Sequence, residues 1–149
     1  MMILRRTAML GLMWMAALFA SAAAAKTQVV VTDAYMYAPL PGRDVAVVYW
    51  QLNNGGGEEV TLVDIRIPAQ PGWARKAEIH QHLHRDGMMS MQRVESLTMA
   101  AKSQTLFESG GYHVMVFGVK NVQVGSQVPV VLLWQDGSQQ EVLLDVRRR

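Results

Sequence analysis

The chain has 149 residues, enough for one domain with a real hydrophobic core. Its 14 Lys and Arg face 12 Asp and Glu, a balance that leaves no basic footprint for nucleic acid or an anionic membrane. It has no cysteine, which excludes disulfides, thiolate metal sites, blue-copper centres and cysteine nucleophiles.

In chain order, the first 25 residues read as a secretory leader. "MMILRR" is a short basic start, residues 7–20 are apolar, and "SAAAA" supplies small residues for cleavage after Ala25. The apolar run falls short of the about 20 residues that a membrane span needs. The mature domain is then residues 26–149, periplasmic, with no membrane association after cleavage. Removing Arg5 and Arg6 with the leader leaves the remaining basic residues matched by the 12 acidic ones. The terminal "RRR" reads as a solvated tail.

Period-two patterning runs through the rest. "TQVVVTDAYMY" and "DVAVVYWQLNN" are strands rich in β-branched and aromatic residues. The glycine-rich turn "NNGGGEE" leads to the strand "VTLVDIRI" and then to "PAQPGWAR", broken by Pro and Gly. "KAEIHQHLH" and "MMSMQRV" flank an Asp86-Gly87 turn. "ESLTMAAKSQTLFESGG" reads either as strand–turn–strand or as a helical turn. "YHVMVFGVK", "QVPVVLLWQ" and "QEVLLDVRR" close the series. Eight or nine short strands without an amphipathic helix predict a Greek-key β-sandwich or small barrel. Val45, Val47 and Tyr49, and Val130, Leu132 and Trp134, are the expected inward residues. Trp50, Trp73 and Trp134 are expected to anchor the core or its rim.

Three of the four histidines, His80, His82 and His84, alternate along one strand, and Met88, Met89 and Met91 follow at once. Asp-Gly favours a two-residue type I′ hairpin turn, because both central residues need positive φ. That register sets His84 opposite Met89 and His82 opposite Met91, all on the face of His80; a three-residue turn would put the methionines on the other face. Met88 is then expected to pack on the far side. The fourth histidine, His113, lies two residues from Met115, so these share a face. Thioether sulfur is a poor ligand for Zn²⁺, Mg²⁺ or Ca²⁺ but suits Cu(I), and imidazole suits copper in either oxidation state. The alternative is methionine as core filler and histidine as surface polarity.

The spacing His80-x10-Met91-x21-His113-x-Met115, with "AEIH", "DGMMSM", "GGYHVM" and "FGVK" around it, resembles the signature of the periplasmic copper chaperones of the PCu(A)C family. The resemblance covers most of the mature chain. It implies a cupredoxin-like β-sandwich with an exposed Cu(I) site whose ligands are His80, Met91, His113 and Met115. It also implies delivery to the dinuclear copper centre of cytochrome c oxidase subunit II or another acceptor, alone or with a thiol-bearing copper chaperone. His82, His84 and Phe117 depart from the common pattern. With Met89, His82 and His84 are candidate auxiliary ligands, and HxHxH has donors for a second ion, Cu(II) included. Tyr112 and Phe117 are candidates for shielding the metal or for packing. Copper is expected to leave in acid, because a metal-bound imidazole must be neutral. No Ser/His/Asp arrangement or H-E-x-x-H is present, so the chain reads as a non-enzyme. Copper storage or resistance, and a structural β-sandwich with an incidental His/Met cluster, are the rival readings.

Overall fold

The computed structural model describes residues 27–149. The expected leader and its cleavage point after Ala25 lie outside the described residues. Ten strands and no helix follow: β1 (Val29–Tyr37), β2 (Val45–Asn54), β3 (Val60–Arg66), β4 (Lys76–Arg85), β5 (Met88–Val94), β6 (Leu97–Met99), β7 (Gln104–Phe107), β8 (Tyr112–Phe117), β9 (Gln127–Trp134) and β10 (Gln139–Arg147). The ambiguous "ESLTMAAKSQTLFESGG" is strand–turn–strand, β6 and β7, which takes the count just past the eight or nine expected. Among the described residues no helix is long and apolar enough to cross a membrane.

The strands form one sheet in the order β5-β4-β8-β7-β2-β1-β10-β9-β3-β6. Strand β2 is shared, its Val45–Val48 half pairing with β8 and its Trp50–Asn53 half with β7. Strand β3 also packs against β4 without pairing. The sheet therefore folds over and nearly closes as a barrel-like, cupredoxin-type sandwich, which leaves β5 as an edge strand.

The core fills the space between the layers. From β9 come Val128, Val130, Leu132 and Trp134, the last three as expected. On β2 the phase is opposite to the expectation: Ala46, Val48, Trp50 and Leu52 are buried, while Val45, Val47 and Tyr49 face outward. Alternation defines two faces but not which one is inside. The even set runs Ala-Val-Trp-Leu before its last member, Asn54, whereas the odd set breaks earlier into Gln51 and Asn53, and the longer apolar set is the buried one. Tyr49 instead joins Tyr35 and Tyr37 in an outer aromatic cluster with ring centroids 5.5–6.2 Å apart. Trp50, Trp73 and Trp134 are all core residues, as are Met36 and Met99.

Polar pins close the ends. Asn54, buried, donates to the carbonyls of Glu58 at 2.8 Å and Ala100 at 2.9 Å and accepts from Gly56 N–H, tying the glycine-rich turn to the β6–β7 connection. The expected arginine tail begins later than read: Arg147 ends β10, lies 4.0 Å over the Tyr35 ring and bonds Asp33 at 3.0 Å.

In the β9–β10 turn, Asp136 accepts from Ser138 Oγ and Thr27 Oγ1, each at 2.6 Å, and from both backbone N–H groups. These bonds, the Ser138 hydroxyl first, hold its carboxyl at about 2, below the ordinary 3.8. A depressed carboxyl pKa adds stability above the ordinary value, and that stability is lost as pH falls from about 3.8 towards about 2. Asp136→Asn is accordingly expected to reduce stability at neutral pH slightly and to flatten its decline in that acid window. Denaturant midpoints measured along a pH series would show it, and an unchanged acid slope would contradict it.

Candidate metal centre

The β4–β5 hairpin is built as its sequence dictates. Asp86 and Gly87 take φ values of 52° and 75°, the type I′ pair that a two-residue turn requires. The register follows: His84 lies opposite Met89 and His82 opposite Met91. On the other side of β4, His80 lies directly opposite His113, and Glu78 opposite Met115. Paired residues in antiparallel strands project to the same side. His80, His82, His84, Met89, Met91, His113 and Met115 therefore share the outer face of three adjacent strands. On the inner face, Ile79, Val114 and Val116 anchor these strands in the core.

Within this group, His80, His82 and His113 are gathered most closely. The rings of His80 and His113 have centroids 5.9 Å apart, and those of His82 and His113 stack at 4.8 Å. Met115 and Met91 each sit one diagonal step from His80, on β8 and β5. Strand β8 ends opposite Gln81, so the hairpin tip overhangs the sheet. His84 and Met89 are exposed on that overhang, and Met91 is 50% exposed on the edge strand. The overhang also explains Met88. It takes the far side of the hairpin as expected but is 74% exposed, because no core lies beneath the tip.

Hydrogen bonds fix which ring nitrogen is available in His113 and in His80. The Nδ1–H of His113 donates to the carbonyl of Gly111 at 3.2 Å, which leaves Nε2 with its lone pair. That carbonyl also accepts the backbone N–H of His82, tying the two histidine strands together. The Nε2–H of His80 donates to Glu78 Oε2 at 3.1 Å, which leaves Nδ1 as the donor. Nδ1 of His80 and Nδ1 of His82 are both buried without a hydrogen-bond partner. A buried polar nitrogen with no partner is costly unless something satisfies it.

Burial favours the neutral His113 ring that a metal needs. His113 is 3% exposed, and burial, reinforced by its His82 and His80 neighbours, pushes its pKa down against the opposing Gly111 bond. Glu78, its side chain 12% exposed, is held ionised by its bonds to Lys76 and His80, with Arg93 at 3.5 Å. Such a carboxylate orients a ligating histidine and raises its basicity. Sequence reasoning missed Glu78, although its place two residues before His80 puts it on the same face. The aromatic neighbours divide: Tyr112 faces inward and packs on Phe107 at 5.7 Å, while Phe117 stays on the outer face beneath Lys76.

Among the described residues, no three His, Asp or Glu side chains form a metal site by themselves. A centre here has to draw on sulfur, and two imidazoles with two thioethers make a donor set suited to Cu(I).

The family model described as LpqE-like matches residues 29–146. The chain belongs to the LpqE-like family. This LpqE-like chain has the fold of PCuAC domains, in agreement with the family resemblance carried by the His-x10-Met-x21-His-x-Met spacing. A copper-bound PCuAC domain from PmoF2 superposes with a TM-score of 0.65 over 81% of this chain and 93% of that one, at 17% identity. Apo-DR1885 from Deinococcus radiodurans is 26% identical, with a TM-score of 0.62 over 99% of this chain and 97% of that one. The Cu(I) form of DR1885 is 25% identical, covering 87% and 86%, with a TM-score of 0.63. No curated protein matches the LpqE-like chain by sequence.

Proposed function

We propose that this protein is a periplasmic copper chaperone that holds Cu(I) between His80, Met91, His113 and Met115 and passes it to an acceptor. The observation that carries the reading is the pairing of His80 with His113, with one thioether a diagonal step away on either side. Residues 1–25 act as the export leader. The acceptor is the dinuclear copper centre of cytochrome c oxidase subunit II, reached directly or through a thiol-bearing chaperone. The solved Cu(I) form of DR1885 supports a Cu(I) cargo for this chain.

Chemistry and exposure together favour delivery over storage. Two neutral imidazoles and two neutral thioethers leave the complex with only the +1 charge of the ion. Three of the four donors stand on the paired strands β4 and β8, and Met91 stands half exposed on the edge strand. An incoming ligand can displace Met91 first, because a thioether is the weaker donor and this one is reachable. His80 and His113 then hold the ion until the acceptor has engaged.

The test is anaerobic loading of the mature protein with Cu(I), followed by X-ray absorption at the copper edge. One copper per chain in a mixed shell of nitrogen and sulfur is expected. Incubation with the apo soluble domain of oxidase subunit II should then move the copper across. A sulfur-free shell would overturn the ligand assignment, and retention of copper beside a competent acceptor would favour storage.

A further inference from the structure

At one end of the sheet, β5 carries a full strand of backbone with no neighbour on its outer side. It stands first in the strand order, and every residue but Val94 is exposed. We propose that two copies of this chain join edge to edge through β5, antiparallel and related by a two-fold axis at Met91. The pairing needs no metal, so it holds for the apo chain whatever the copper ligands are.

The pairing phase of β4 with β5 shows which backbone groups are free. The backbone N–H of His82 turns away from β5 and donates to the carbonyl of Gly111 at 3.2 Å. His82 and Met91 are therefore a non-hydrogen-bonded pair, and in an antiparallel ladder such pairs alternate with bonded ones. Arg85 and Met88, the bonded pair that closes a two-residue turn, fit the same alternation. Met88, Ser90, Gln92 and Val94 consequently bond to β4, while the N–H and C=O groups of Met89, Met91 and Arg93 point outward. These three positions are spaced evenly about Met91. A two-fold axis there sets Met91 against Met91 of the second copy and Met89 against its Arg93. All three positions are then satisfied by about six hydrogen bonds, two for each bonded pair.

Open edges are normally blunted by Lys, Pro, a bulge or a very short strand. The opposite edge of the sheet follows that rule, for β6 has three residues, of which Leu97 and Met99 are buried. In contrast, β5 has seven, with no Pro, Lys or register shift, and exposes Met88, Met89 and Met91 at 74%, 59% and 50%. Its one charge, Arg93, is turned onto Glu78 at 3.5 Å and Glu95 at 3.4 Å. Nothing on β5 itself opposes a further strand.

A second copy fits this edge in charge as well as in bonding. The antiparallel two-fold lays the Arg93–Glu95 pair of each copy beside the Arg85-Asp86 turn of the other, so each end sets one positive and one negative group against the same combination. Residues opposite each other in an antiparallel pair project to one side. Both Met91 side chains therefore meet on the face that bears His80 and His113, and the two His/Met centres adjoin across the seam. A single strand pairing buries less than the about 1,200 Å² of a standard interface, which makes this a weak dimer that forms at high micromolar concentration. The axis uses the one long open edge among the described residues, so association stops at two copies.

Sedimentation of the mature apo protein, with a chelator present, from about 10 µM to about 1 mM is the test. The average mass should rise from one chain towards two and no further. Over the same range, hydrogen exchange at the amides of Met89, Met91 and Arg93 should slow at least about threefold, while Ser90 and Gln92, already bonded to β4, should change less. Met91→Pro removes the central outward N–H without touching a bond to β4. Met89→Lys sets a cation against Arg93 of the second copy. Each should weaken dimerisation at least about tenfold, with folding checked by thermal unfolding. Val124→Lys, which alters an exposed apolar residue away from β5, should match the wild type. A wild type that stays single at about 1 mM, a mass that climbs past two chains, or dimers that survive both β5 substitutions would overturn the proposal. Protection of the three amides only when the oxidase subunit II domain is added would assign the edge to the acceptor and overturn it as well. The Cu(I) ligand shell, read by X-ray absorption, is a separate result, so the chaperone reading stands or falls independently.

Discussion

His113→Ala is expected to reduce Cu(I) affinity by more than about a hundredfold. Loss of a partner behind a ligand already costs about 10–100-fold, and removing the ligand itself costs more. Here the ring removed is the one against which both other imidazoles lie, and it is held neutral in a buried position. β8 itself offers no second imidazole, because the adjacent side chains on the same face are Met115 and Phe117. Copper competition with a chromophoric Cu(I) chelator, under anaerobic conditions, reads the effect. His84→Ala on the exposed tip is the matched control and should stay within about threefold of wild type. A His113→Ala protein that folds and keeps its affinity within about tenfold would remove this residue from the centre.

Trp50→Ala is expected to be the most damaging of the core substitutions for folding, at about 3–5 kcal/mol. The indole is 2% exposed and packs on Phe107 with centroids 5.6 Å apart. It lies where β2 passes from pairing with β8 to pairing with β7, so the cavity would open beneath the strands that carry His113. Against a total stability of about 5–15 kcal/mol, that loss lowers the melting temperature by about 10–20 °C. Its Nε1 has no hydrogen-bond partner, so Trp50→Phe should cost much less than the alanine change, because it restores most of the packing and deletes the unsatisfied donor. Thermal unfolding of the two variants separates the contributions. Equal losses would show that the indole nitrogen, not the ring's volume, governs this site.

Local chemistry made the hairpin legible. Asp86-Gly87 demanded positive φ at two successive residues, and that one turn set the register of His82 and His84 against Met91 and Met89. The strands were equally readable, because period-two patterning and Gly/Pro/Asn turns are local properties. On β2 the same patterning misled: Val45, Val47 and Tyr49 are as apolar as an inward face, and their outward phase follows from how the second layer packs on Trp50 and Leu52. Met88 was misread for a related reason, since alternation indicates a side but not whether anything lies beneath it. The pairing of β6 with β3 and of β7 with β2 settled the stretch that composition left ambiguous.

By itself, the sequence determined an all-β domain without sulfur chemistry from cysteine, a fixed turn between a histidine-bearing and a methionine-bearing strand, and a His/Met spacing that pointed to the family. These depend on residue type and on neighbours close along the chain. Only the tertiary structure decided that His80 faces His113, that Glu78 and Gly111 choose the free nitrogen of each ring, and that His82 stacks into the cluster while His84 does not. Those outcomes depend on which strands pair and where β8 stops. Pairing between segments some thirty residues apart is fixed by packing the whole sandwich, not by any stretch read alone.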